Sequence, residues 1–276
     1  MTTASTTDLA LMAHLLRRAG FGADRDQLER YAEKSYEDVV DDLLNPERFD
    51  EPEDEVLSRF YPHLHGSTDN PAVWNGRWFY RMVNTERPLE EKMTLFWHGV
   101  FATGWTKSEH TPTMVQHIQM LRTNGMANFR TLLLGISRDP AMIFWLDNNE
   151  NLKEEPNENY GRELLELFSM GVGNYTEDDI KEGARTLTGF NFEDDAFAFR
   201  ARQHDTGTKS IFGRRGQYDG DDFVDLIFTR RNVSKFLTEK LYRFFVNDLP
   251  HGSTKESKAF TDRLANLFKR SDWELK

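Results

Sequence analysis

Asn157-Glu158-Asn159-Tyr160-Gly161-Arg162-Glu163-Leu164-Leu165-Glu166-Leu167-Phe168 is the stretch that decides the class of this chain. At 100° per residue Tyr160, Leu164, Leu167, Phe168 and Gly171 fall on one face, the pattern of a helix with one side against a core. Glu158, Arg162 and Glu166 line the opposite face at spacing four, where acid and base reach each other along a helix surface. Glu163 and Asn159 stand on the border between the two faces. A carboxylate at the edge of a core needs a partner. An arginine there makes Glu163 structural; a metal or a substrate makes it functional. The ladder itself is read evenly as a solvated, salt-bridged face or as part of a polar site.

Outward from this helix the same period recurs. Leu9, Met12, Ala13 and Leu16 form a stripe that Gly20 and Gly22 stop. Asp24 or Asp26 can cap a short helix through Tyr31, and Ser35 precedes a helix that ends at Asn45-Pro46. Residues 46–72, rich in Pro, Asp and Glu, read as a long surface connection. Helical period returns over Trp74–Val83 and again after Pro88, whose missing N–H suits a first turn. Thr111–Leu121, Phe129–Ile136, Pro140–Leu146 and Thr176–Phe190 continue it, with Thr176 to Asp179 resembling a capping box. Phe197, Phe199 and Ala201 alternate with polar residues, and Ser210–Gly213 can return as a second strand, so a small β-hairpin is expected near residues 197–213. Helices resume over Asp221–Phe228, Val233–Val246 and Lys255–Lys269. The expected fold is mainly α: an irregular multi-helix bundle with one hairpin insertion. A single helical domain over 1–276 is expected, with an N-terminal helical subdomain over 1–70.

Two further constellations carry chemistry. In Phe96-Trp97-His98-Gly99-Val100-Phe101 the helix is apolar nearly all round, which predicts burial, and a buried imidazole wants partners on both nitrogens. Glu91, seven residues earlier, lies on the same side. A lone buried histidine is more often a satisfied core residue than a ligand. Gln203-His204-Asp205-Thr206-Gly207-Thr208-Lys209 sits at the hairpin tip, where His204 and Asp205 can bind a divalent cation or orient a base. An Asx-turn is the commoner use of Asp before Gly. Gly171-Val172-Gly173 reads as a helix C-cap, not as a phosphate loop.

Composition narrows the classes. The 35 basic and 46 acidic residues give a net charge of −11, which argues against nucleic acid as partner because phosphate contacts need a basic footprint. With Cys 0 there is no thiol nucleophile, disulfide or thiolate ligand. The 21 Phe and 6 Trp speak for a folded core rather than a disordered chain. No apolar run approaches a membrane span. The first residues do not read as an export signal, so a cytoplasmic location is expected, with export if a leader has been removed.

Eight blocks together resemble a known family. They are His14–Gly22, Phe96-Trp97-His98, Gly125–Leu133, Asp139-Pro140-Ala141-Met142 with Leu146-Asp147-Asn148, Asn157–Gly173, Tyr175–Asp179, Ala184–Gly189, and His204-Asp205 with Lys209. In order along nearly the whole chain they resemble the bacterial "domain of unknown function 1800" family. The resemblance implies a mainly helical protein, usually longer than this chain, so a missing C-terminal portion is expected. It also implies a genomic neighbour of alkaline-phosphatase-like type as a possible protein partner. Val100 stands where members often carry a second histidine, and Phe190 where a tryptophan is usual.

The resulting expectation is an interior polar site of a metal-assisted hydrolase or related enzyme. Glu163, His98 and Arg162 are its candidate catalytic residues, with Arg185 and Asn159 binding substrate. His98, Glu163, His204 and Asp205 are the candidate ligands for a divalent metal, and without thiolates Mg, Mn, Zn or Fe would suit. The rival expectation is a non-catalytic accessory protein in which the same charges lock helices together.

Overall fold

Apolar stripes, caps and proline-initiated turns give a mainly α protein. The structure is a computed structural model that describes residues 6–52, 59, 69–248 and 254–276. The chain divides into two compact units, residues 1–96 with Lys276, and residues 97–275.

The first unit carries α1 (Thr6–Ala19), α2 (Arg25–Tyr31), α3 (Tyr36–Leu44), α4 (Pro71–Asn84) and most of α5 (Pro88–Val100). Met12, Leu16, Ala19, Val39 and Leu43 form its buried cluster, so the stripe read on α1 is the one that packs. Of the two caps expected for α2, Asp24 is the one used, in a capping box with Gln27, and Ser35 caps α3 through the Asp38 N–H. The expected connection over 46–72 opens with a short 3₁₀ turn at Pro46–Arg48. Residues 53–58 and 60–68 of it lie outside the described residues. At the heart of the α4–α5 pairing, buried Glu91 accepts from Trp78 Nε1 at 2.9 Å and from Arg81 Nε at 3.0 Å.

The second unit begins within α5 and continues through α6 (Trp105–Ser108), α7 (Thr111–Asn124), α8 (Phe129–Ser137), α9 (Pro140–Trp145), α10 (Asn159–Glu166) and α11 (Glu177–Thr186). After the strands come α12 (Gly220–Phe228), α13 (Asn232–Phe245) and α14 (Lys255–Arg270). Its core is aromatic: Trp97 stacks on Phe101 at 5.3 Å and on Phe129 at 5.6 Å, and all three are fully buried. α10 and α11 approach closely at Gly161, where a Cβ would lie 3.2 Å from the Ala184 backbone nitrogen. The deciding helix is shorter than its stripe suggests. It ends at Glu166, and Leu167 is exposed while Phe168 and Ser169 turn back into the core.

The strands pair differently from the hairpin expected near residues 197–213. β1 (Phe190–Glu193) pairs antiparallel with β2 (Ala196–Phe199), and β3 (Lys209–Ile211) pairs antiparallel with β4 (Arg214–Gly216). The segment contains halves of two hairpins. Phe190, read as the end of a helix, starts β1, because α11 stops at Thr186 and Gly189 takes φ 79°. Asp194 and Asp195 turn the first hairpin with φ of 48° and 60°, and Phe212 and Gly213 turn the second with φ of 51° and 76°. Turns with two positive φ values match the twist of the flanking strands.

Candidate functional site

His98 lies on α5, half-buried, and its ring meets an imidazole that the sequence reading passed over. His117, in the middle of α7 and fully buried, stands edge-on to it at 5.9 Å between ring centroids. His117 Nδ1 is 3.1 Å from Asp139 Oδ1. An ionised carboxylate only accepts, so His117 Nδ1 is the donor in this contact. Among the described residues His117 Nε2 is buried with no hydrogen-bond partner. Buried polar atoms without partners are rare in folded proteins and call for a reason.

Asp139 owes its place to a helix start. It is the N-cap of α9, followed by Pro140 at the first helical position, and Oδ1 also accepts the Met142 N–H at 2.9 Å. One carboxylate therefore caps α9 and orients His117. Alongside it, buried Tyr160 from α10 donates through its hydroxyl to Ser137 Oγ at 2.8 Å, and Ser137 donates on to the Leu133 carbonyl. Burial, with the Asp139 charge adding to it, raises the Tyr160 phenol above its ordinary value against the pull of Ser137. Tyr160 therefore stays protonated and serves as a donor.

Burial first, and the neighbouring His117 second, push the His98 imidazole down to about 4. The folded protein keeps His98 neutral at pH values where the unfolded chain, with an ordinary value of 6.5, takes up a proton. Stability is then highest above about pH 6.5 and falls between 6.5 and 4. After discounting for partial exposure, the loss from this group is about 2 kcal/mol. Urea midpoints at pH 7 and pH 4.5 for wild type and His98→Asn check it. The variant should lose much of the acid slope, and an unchanged slope would refute the assignment.

The other candidates lie on α10, on α11 and in the loop before β3. Glu163 on α10 is half-buried, and among the described residues its Oε2 is buried without a hydrogen bond. Burial first, then Glu166, raise its carboxyl, with Arg162 opposing them. Arg162 pairs with Glu158 at 3.1 Å and with Glu177 at 2.7 Å. Glu166 instead accepts the Tyr175 hydroxyl at 2.5 Å, so only half of the expected ladder forms. Asn159 is exposed at the start of α10.

Arg185 is committed on every side. It meets Asp205 Oδ2 at 2.7 Å, both Glu182 oxygens at 2.9 Å and the Thr208 carbonyl at 3.3 Å. Asp205 also accepts the Gly207 N–H at 2.7 Å, the Asx-turn that its position before Gly predicts. Burial works against it, but Arg185 and that N–H hold the Asp205 carboxyl below its ordinary value. His204 Nδ1 bonds the Thr188 carbonyl at 2.8 Å. Buried Lys209 ties the loop by donating to the carbonyls of Asp205 and Gly207 at 2.5 and 3.3 Å.

The expected ligand set of His98, Glu163, His204 and Asp205 is therefore not one set. Among the described residues no group of three or more His, Asp or Glu is arranged to hold a metal ion. His204 and Asp205 serve the loop, and Glu91 serves Arg81 and Trp78. The centre that does form is His98–His117–Asp139.

The chain is mainly helical, and its second unit holds a carboxylate-anchored imidazole. Residues 14–276 match a family described as a protein of unknown function (DUF1800), and the chain belongs to that family. No curated protein and no solved structure matches it. Among the described residues no helix is long and apolar enough to cross a membrane.

Proposed function

We propose that this chain is an enzyme of hydrolase type whose general base is His117, held in register by Asp139 and flanked by neutral His98. The observation that carries this reading is the buried Nε2, without a hydrogen-bond partner among the described residues, on an imidazole whose other nitrogen is already held by Asp139. A carboxylate behind Nδ1 sets the tautomer and stabilises the imidazolium that forms when Nε2 takes a proton from water or an alcohol. The same arrangement is the inner part of a metal site, with Asp139 behind His117 as the outer carboxylate. Two imidazoles suit a borderline cation such as zinc. Because no third His, Asp or Glu joins them among the described residues, acid–base chemistry is the role they support by themselves.

Imidazole ¹⁵N–¹H spectra at neutral pH test this directly. His117 is expected as the Nδ1–H tautomer with unprotonated Nε2, and Asp139→Ala should shift that preference. Hydrolysis of chromogenic acetate and phosphate esters should fall by about 10²–10⁴ in His117→Gln, the usual range for loss of a positioned base. An Nε2–H tautomer would make His117 a structural donor and end the proposal. Zinc retained at one per chain in wild type but not in His117→Gln would move the reading to metal-assisted hydrolysis.

The accessory-protein reading has one observation in its favour. Arg162, Arg185, Glu158 and Asp205 pair with one another or with near neighbours, as charges that fasten helices and loops do.

A further inference from the structure

A cleft of about 500 Å³, lined by Gly173, Asn174, Tyr175, Thr176, Asp179, Phe212, Gly213, Arg230 and Asn232, lies in the second unit and shares no residue with the His117 centre. Its volume is within the range of small-molecule sites. Two features separate it from an ordinary groove.

The first is charge. Arg230 is half-buried, and among the described residues its guanidinium makes no ion pair and no hydrogen bond; it rests over the Phe212 ring at 5.0 Å. Among the described residues Arg202, Arg214 and Arg231 also lack an ion pair but are exposed, whereas Arg230 is half-buried in the cleft wall. The one carboxylate lining the cleft is already committed. Asp179 accepts the Phe212 N–H at 2.6 Å through Oδ1, and the Thr176 N–H and hydroxyl at 2.9 and 2.8 Å through Oδ2. The Asn174 amide is likewise spent on the carbonyls of Met170 and Gly171 and on Asn232. Arg230 keeps its donors.

The second is strain. Phe212 holds φ 51° at the first corner of the β3–β4 turn, with Gly213 at 76° behind it. Such a corner favours Gly, Asn or Asp, and a bulky aromatic residue there is a genuine outlier. Glycine would close the hairpin with less strain. What phenylalanine adds is a ring facing the guanidinium, on a backbone whose N–H Asp179 holds. Strain kept where a cheaper residue would serve is a mark of a ligand clamp.

We infer that this cleft binds a small organic anion, its carboxylate or phosphate taken by the Arg230 fork and its body lying against Phe212. A guanidinium offers paired donors matched to both groups, and aromatic walls suit a planar body.

Calorimetric titration and melting curves of the full chain with phenyl phosphate, benzoate and inorganic phosphate test the inference. Saturable binding of phenyl phosphate or benzoate is expected, weakened at least tenfold in Arg230→Gln. Phosphate alone should bind more weakly than phenyl phosphate because it leaves Phe212 uncovered. Phe212→Gly separates ligand from fold: its melting temperature should hold or rise while phenyl phosphate binding falls. The inference is overturned if neither aromatic anion binds wild type, or if Arg230→Gln binds them equally well. A Phe212→Gly protein that melts lower yet binds normally would assign the ring to packing and overturn it too.

Discussion

Replacing Asp139 by Ala is expected to lower stability by about 2–4 kcal/mol. Two causes add. The α9 N-terminus loses the cap on Met142, worth about 1 kcal/mol for Asp to Ala. The His117 Nδ1–H, fully buried, loses its acceptor at 3.1 Å and bears the desolvation cost of an orphaned donor, about 1–3 kcal/mol. Asp139→Asn keeps a carbonyl oxygen that can accept from both groups and should cost clearly less. Pairing Asp139→Ala with His117→Leu should recover part of the loss, because the second change removes the stranded donor. Urea unfolding of the four proteins checks the order. Equal losses for Ala and Asn would show that the shared oxygen does not hold the two helices together.

Much of the first-order architecture was legible because it is written locally. Asp24 with Gln27, Ser35, and Thr176 with Asp179 are caps whose partners lie three residues away, and each is found capping. Pro88 starts α5 and the Leu9–Leu16 stripe faces the core for the same reason. The hairpins failed where local rules were ambiguous. Asp194-Asp195 lacks the glycine that usually marks a two-residue turn, so local rules extend the preceding helix over β1 and pair β2 with the wrong strand.

The site divides along the same line. Glu163 stood out because it interrupts an apolar face, and it does carry an unpartnered buried oxygen among the described residues. His98 stood out because its helix is apolar all round. His117 gave no such mark: α7 has only a faint apolar stripe, and a histidine between Gln116 and Ile118 reads as one polar residue among several. Asp139 before Pro140 is a plain cap in one dimension. Its second task appears only when α7 is packed within 3.1 Å of it, a contact spanning 22 residues that no periodicity encodes. The hairpin tip shows the converse. His204, Asp205, Arg185 and Lys209 are rich in chemistry as a sequence, yet in space Arg185 pairs with Asp205 while His204 and Lys209 bond backbone carbonyls, and the cluster becomes a clasp for one loop.

Arg81→Ala is the second large effect, an expected loss of about 3 kcal/mol. Glu91 is fully buried, and Arg81, with a side chain only 11% exposed, supplies a cation 3.0 Å from its Oε1. An exposed pair such as Arg162–Glu177 contributes about 0–1 kcal/mol because water competes for both charges. A buried pair differs in what its disruption leaves behind: the Glu91 carboxylate keeps the Trp78 N–H but loses the guanidinium, while remaining out of water. Removing both charges avoids that state. Arg81→Met with Glu91→Leu should therefore be closer to wild type than Arg81→Ala alone, although it removes more polar contacts. Guanidinium unfolding followed by tryptophan fluorescence, which Trp78 reports from beside the pair, measures both. If the single variant loses less than about 1 kcal/mol, the pair behaves as a solvated one and the α4–α5 junction is held by its apolar contacts instead.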